Sequence, residues 1–77
     1  MESFGDTLRQ TREQQGLDID KAARDTSISR EYIEALEFEN TEAFPGEPYL
    51  VGFLRNYSDY LGLEAEYMIR LYLFCTI

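Results

Sequence analysis

The side chains in this sequence best suited to chemistry are carboxylates and aromatics, and neither set is arranged for catalysis. There is no histidine, the group that shuttles protons near neutral pH. The single cysteine, Cys75, has no histidine to activate it and no second cysteine to pair with; a lone thiol fits a reducing, cytosolic setting. Asp18 and Asp20 lie close together, but at a helix start, where capping accounts for them. No metal-ligand spacing, phosphate loop or glycine fingerprint is present. These features predict no enzyme: no catalytic residue, no cofactor, no metal and no small-molecule substrate.

The aromatics are more distinctive. Six Tyr and five Phe occur in 77 residues, and four of them, Tyr49, Phe53, Tyr57 and Tyr60, fall in one predicted helix. At roughly 100° per residue they lie at about 0°, 40°, 80° and 20°, whereas Leu50, Leu61 and Leu54 lie at about 100°, 120° and 140°. The apolar arc is therefore about 140° wide, more than the ~100° a core-facing stripe needs. Its aliphatic edge can serve the core. An aromatic stripe at this spacing is ordinarily core as well, yet part of it can be left over, and Tyr, Phe and Arg are interface residue types. Phe53 is expected to be the deeper of the aromatics and Tyr57 to leave the fold intact when truncated. Arg55 and Asn56 lie beside the stripe, as a polar rim.

The elements that must carry this stripe are all helical. Glycines and prolines punctuate the chain at Gly5, Gly16, Pro45-Gly46, Pro48, Gly52 and Gly62, and no segment between them alternates with the period of a strand. The spacing predicts a first helix over 4–15, begun by Ser3 and stopped by Gly16. A second follows Asp18 to about Asp25, and a third runs from Ser29 to about Glu39, burying Tyr32, Ile33 and Leu36, with Asn40 as its cap. Leu54 is expected to be buried. Pro48 opens the fourth helix, which Gly62 closes, with Leu63 packing back on it. A fifth runs over 65–73. The reading is one all-α domain over 1–77, with a core at 4–40 and a two-helix extension at 47–74.

Charge narrows the partners. Fifteen acidic against seven basic residues give a formal net charge of −8, a field that repels phosphates and anionic headgroups and favours a basic partner. Residues 1–15 are too polar for a signal peptide, and no run approaches the ~20 apolar residues of a membrane span. The chain ends on an apolar stretch, 71–77, which suggests a longer parent protein.

The pattern Leu8, Arg12, Gly16-Leu17, Ala22-Ala23, Ile28-Ser29, Ile33, Glu37 resembles a helix-turn-helix of the Cro/Xre type. In that resemblance Arg12 pairs with Glu37 between the first and third helices. The following segment, Phe44-Pro45-Gly46-Glu47-Pro48-Tyr49-Leu50-Val51-Gly52-Phe53-Leu54-Arg55-Asn56-Tyr57-Ser58-Asp59-Tyr60-Leu61-Gly62-Leu63, closely resembles that of the RodZ family of bacterial cell-shape proteins. Phe44 stands where that pattern has leucine, and Ser58 where it has alanine. The resemblance implies a protein–protein docking domain on the cytoplasmic face of the bacterial inner membrane, held there by a downstream membrane-spanning segment. Its implied partner is the bacterial actin MreB, bound through the fourth helix at Phe53 and Tyr57, with Tyr49, Tyr60, Arg55 and Asn56 around them.

The alternative is a sequence-specific DNA-binding regulator of the Xre type. Its third helix would enter the major groove. The positions expected to be exposed there are Arg30, Glu31, Glu34, Glu37 and Glu39, and residues 31–47 hold six acids and no base. Phosphate contact normally supplies most of the affinity, so DNA binding is disfavoured. Arg9, Arg12, Lys21 and Arg24 alternate with acids and are expected to pair within the molecule.

Overall fold

In the computed structural model, which describes residues 3–75, the chain is all-α. The helices are α1 (Phe4–Gln14), α2 (Ile19–Thr26), α3 (Arg30–Glu37), a 3-10 turn at Thr41–Ala43, α4 (Glu47–Leu61) and α5 (Ala65–Cys75). The first three form the helix-turn-helix, and α4 and α5 pack on it.

The boundaries follow the capping chemistry. Ser3, Asp18 and Ser29 each accept a backbone N–H three residues on, from Asp6, Lys21 and Tyr32. Such caps satisfy donors that no helical turn can reach. Gly16 and Gly62 take left-handed φ values of 70° and 81°. Leu63 N–H then bonds Ser58 carbonyl at 2.9 Å, and its side chain packs on the core.

Helix α3 departs from the expected ending. It stops at Glu37, with Phe38 as its cap residue. The left-handed residue is Glu39, at φ 60°, and Asn40 N–H reaches back to Ala35 carbonyl at 2.8 Å. Glutamate is an uncommon choice there. Its carboxylate accepts the Gly5 backbone N–H at 3.0 Å, so the end of α3 caps the positive start of α1. Gly5 is required at this approach, because a Cβ would collide with the Glu37 carbonyl and the Glu39 side chain.

The core runs through all five helices, with Leu8, Ile33, Leu36, Leu54 and Met68 at no more than 1 % exposure. Leu54 is buried as its wheel position predicts. Phe4 and Leu8 form the inner face of α1, Ile33 and Leu36 that of α3, and Tyr32 is half-buried.

Beneath α4 lies a buried polar network. Arg12 donates through Nε and Nη2 to the two carboxylate oxygens of Glu37, at 2.7 and 3.0 Å, and through Nη1 to the Leu17 carbonyl at 2.9 Å. This is the pair implied by the family resemblance. Glu37 is therefore not one of the exposed acids of α3: it is 2 % exposed, in a bidentate ion pair whose geometry offsets the cost of burial. The other cations expected to pair internally do so in part. Arg9 meets Asp6 and Lys21 meets Asp25, while Arg24 stays in solvent.

Candidate partner-binding site

Helix α4 has Pro48 in its first turn and Gly62 at its end. Its buried residues are Leu50, Leu54, Tyr57, Ser58 and Leu61, an arc from about 80° to about 180° on the wheel. The centre of burial lies near the leucines, and exposure grows with angular distance from it. That single gradient sorts the four aromatics.

Tyr57 sits inside the arc. Its ring is 0 % exposed, and its hydroxyl donates to Glu37 Oε2 at 2.6 Å. Burial, then the hydrogen bond to Glu37, raises its pKa well above the ordinary tyrosine value. The expectation of Tyr57 as a surface contact is thus corrected: the ring supports α4 from beneath and offers a partner no area. The wheel angle alone misassigned it, because nothing local marks Glu37 as an inward-facing acid able to satisfy a buried phenol.

Phe53 is half-buried. It stacks on Tyr32 of α3 at 4.8 Å between centroids and lies 6.1 Å from Phe44 of the preceding turn; Tyr32 and Phe44 stack at 5.1 Å. This three-ring cluster joins α3, the turn and α4. The sequence places Tyr32 on the buried face of the third helix, and nothing local to it joins Tyr32 or Phe44 to Phe53. The signal for the cluster was the run of aromatics at both ends of one short connection.

Tyr60 is also half-buried. Its hydroxyl donates to Asp25 Oδ2 at 2.7 Å, binding α4 to α2. That bond, and then the neighbouring Lys21, hold the Asp25 carboxyl below its ordinary pKa, and the same bond to Asp25 raises Tyr60. Tyr49, at the far end of the gradient, is 59 % exposed. Asn56 and Gly52 are exposed beside it. Arg55 is exposed too but faces the other flank, where it pairs with Glu66 of α5 at 2.8 Å. The structure thus brings Tyr49, Phe53 and Asn56 onto one outer edge, leaves Tyr60 at its border, and takes Tyr57 and Arg55 away from it.

The outer face of α3 bears on the nucleic-acid alternative. Its one cation, Arg30, is engaged by Asp20 at 2.5 Å and by Glu34 at 3.2 Å. Among the described residues no group of three His, Cys, Asp or Glu side chains is placed to hold a metal ion, and no helix is long and apolar enough to cross a membrane.

The "Helix-turn-helix domain" family model matches residues 7–68. The chain belongs to this family. Within its helix-turn-helix relatives it is 29% identical over 70 residues to the cytoskeleton protein RodZ of Streptococcus pneumoniae, covering 91% of this chain and 25% of that protein. It is 31% identical over 54 residues to the uncharacterized membrane protein YmfM of Bacillus subtilis, covering 70% of this chain and 19% of that one. The chain thus spans a quarter or less of the length of these relatives. A solved structure of YmfM from Staphylococcus aureus, a membrane protein proposed to bind DNA, superposes with a TM-score of 0.86 at 25% identity. It covers 94% of this chain and 88% of that chain. The chain is accordingly a RodZ-like helix-turn-helix domain, the resemblance first seen in its sequence.

Proposed function

We propose that this domain is a protein-docking module that binds the bacterial actin MreB through the outer edge of α4. A further part of its parent protein would tether the complex to the cytoplasmic face of the inner membrane. The observation that carries the reading is Tyr49, 59 % exposed beside half-buried Phe53 on a helix whose other edge is sealed in the core. A tyrosine held on a rigid helix loses little entropy on binding and brings a large apolar area, as hot-spot residues do. The similarity to RodZ supplies the class of partner. The contact is centred on Tyr49 and Phe53, with Asn56 at its rim, and Tyr57 acts only by holding α4 in place. The reading assigns the domain no reaction.

DNA binding is the second reading, favoured by the proposal made for the Staphylococcus aureus YmfM. The engaged Arg30 and the acids around it oppose it, because each would face phosphate at short range.

One set of proteins tests both. Tyr49→Ala and Phe53→Ala should each weaken capture of purified MreB by roughly tenfold or more. Tyr49→Ala should keep the parent melting temperature, whereas Phe53→Ala should lower it through the lost ring stack. Unaltered affinity in both variants removes α4 as the docking edge. Fluorescence polarisation against pooled duplexes is the other arm, and tight, sequence-dependent binding at physiological salt there would favour the DNA reading.

A further inference from the structure

The face of α3 that a DNA-reading helix-turn-helix turns to the major groove has here the opposite electrostatics and a different shape. Between it and the 3-10 turn lies an open groove of about 280 Å³, lined by Glu31, Glu34, Ala35, Phe38, Asn40 and Ala43. Its apolar lining comes from Ala35, Phe38 and Ala43. Phe38, the cap residue of α3, is 67 % exposed and takes part in none of the ring stacks that organise the neighbouring aromatics. An exposed phenylalanine beside a groove is an unspent binding surface.

Two features select the same occupant. Glu31 and Glu34 line one side of the groove; Glu34 also meets Arg30 at 3.2 Å, while Glu31 makes no ion pair among the described residues. The face of the Phe38 ring attracts cations once water is partly excluded. The domain's formal net charge of −8 adds a long-range field of the same sign and turns away nucleic acids and anionic lipid surfaces.

We propose that this groove is a second docking site, for a protein segment presenting an arginine or lysine, whose aliphatic stem lies on Ala35, Ala43 and Phe38 and whose charged head meets Glu31 and Glu34. The site is distinct from the outer edge of α4 and does not rest on the identity of the partner bound there.

The test uses a blocked ten-residue peptide of alternating arginine and alanine, titrated into the isotope-labelled domain while backbone amide resonances are followed. Shifts should concentrate on residues 31–43. Phe38→Ser and Glu31→Gln should each weaken binding at least fivefold with no loss of thermal stability, since both side chains are exposed. Glu13→Gln, which removes an exposed charge on α1, should leave binding unchanged, as should Tyr49→Ala. Shifts scattered over the acidic surface, or equal weakening by Glu13→Gln and Phe38→Ser, would mean general charge attraction and overturn the site. So would parent affinity in the Phe38→Ser protein.

Discussion

Tyr49 and Tyr57 are the same residue type two turns apart on α4, and the fold uses them in opposite ways. Tyr57 is 0 % exposed and hydrogen-bonded to a carboxylate that Arg12 neutralises; Tyr49 is 59 % exposed. About 80° of helical rotation separates them. What divides them is the partner waiting at each angle. On the inner edge Glu37 accepts a hydrogen bond from the phenol in a dry site, so a tyrosine there costs little to bury. On the outer edge nothing in the domain covers the ring. An aromatic stripe is therefore not one feature but a gradient, read only once the acid on the facing helix is located.

The largest expected effect lies on the inner edge. Tyr57→Ala removes a fully buried ring and one of the three hydrogen bonds that Glu37 accepts, leaving those from Arg12, which should cost about 3–5 kcal/mol. Against a total of about 5–15 kcal/mol for domains in general, and less for one this small, that loss threatens folding itself. Tyr49→Ala should change stability by no more than about 0.5 kcal/mol. Thermal melts followed by circular dichroism compare the two. Equal melting temperatures would mean that the edges do not differ in the way described.

A milder substitution isolates the hydroxyl. Tyr57→Phe keeps the ring and removes a hydrogen bond to an ionised group, worth about 1.5–3 kcal/mol. Its pH dependence has a definite sign. The folded-state pKa of Tyr57 is raised, by burial first and then by Glu37. Its contribution is therefore complete below the unfolded tyrosine pKa of about 10 and is lost as pH rises above it. Denaturant melts between neutral and strongly alkaline pH should show the parent losing stability more steeply than the Tyr57→Phe protein. Parallel curves would remove the Glu37 bond as a source of stability.

Helix positions and most caps could be read from the sequence because their causes are local. Ser3, Asp18, Ser29, Gly16, Pro48 and Gly62 act within a few residues of themselves. The pairing of Arg12 with Glu37 came from a family resemblance, since 25 residues separate the partners and no local rule joins them. The misplacements share that origin. Glu37 resembles its solvent-facing neighbours Glu31 and Glu34 in type and differs only in what lies opposite. Tyr57 inherits the error; Arg55, by contrast, already lies at about 240° on the wheel of α4, off the stripe, where it pairs with Glu66 of α5. Glu39, beside the Asn40 expected as the cap, takes the left-handed turn, and its carboxylate bonds Gly5, 34 residues away. For the candidate site, the outer edge could be drawn from one helix, and its inner limit needed three.

The smallest effects are two gains in stability that part company at the partner. Ser58 stands where the family pattern has alanine. Its hydroxyl is fully buried and has no hydrogen-bond partner among the described residues, so Ser58→Ala removes an unsatisfied polar group and places a better helix former, a gain of about 1 kcal/mol. Gly52 lies in the middle of α4, exposed, where a Cβ would meet nothing within 4 Å. Glycine in a helix interior costs roughly 0.5–1 kcal/mol relative to alanine, so Gly52→Ala should give a similar gain, a few degrees in melting temperature for a domain of this size. Nothing inside the domain requires that glycine, since its φ is not in the left-handed region. Its neighbours on the wheel are Tyr49 and Asn56, the outer edge. If a partner's backbone approaches α4 there, the added methyl group holds it off, and Gly52→Ala should weaken MreB capture several-fold while the domain melts higher. Ser58→Ala, beneath the same helix, should melt higher with capture unchanged. Equal capture by both proteins would move the contact off this stretch of α4, and weakened capture by Ser58→Ala alone would place it on the edge now assigned to the core.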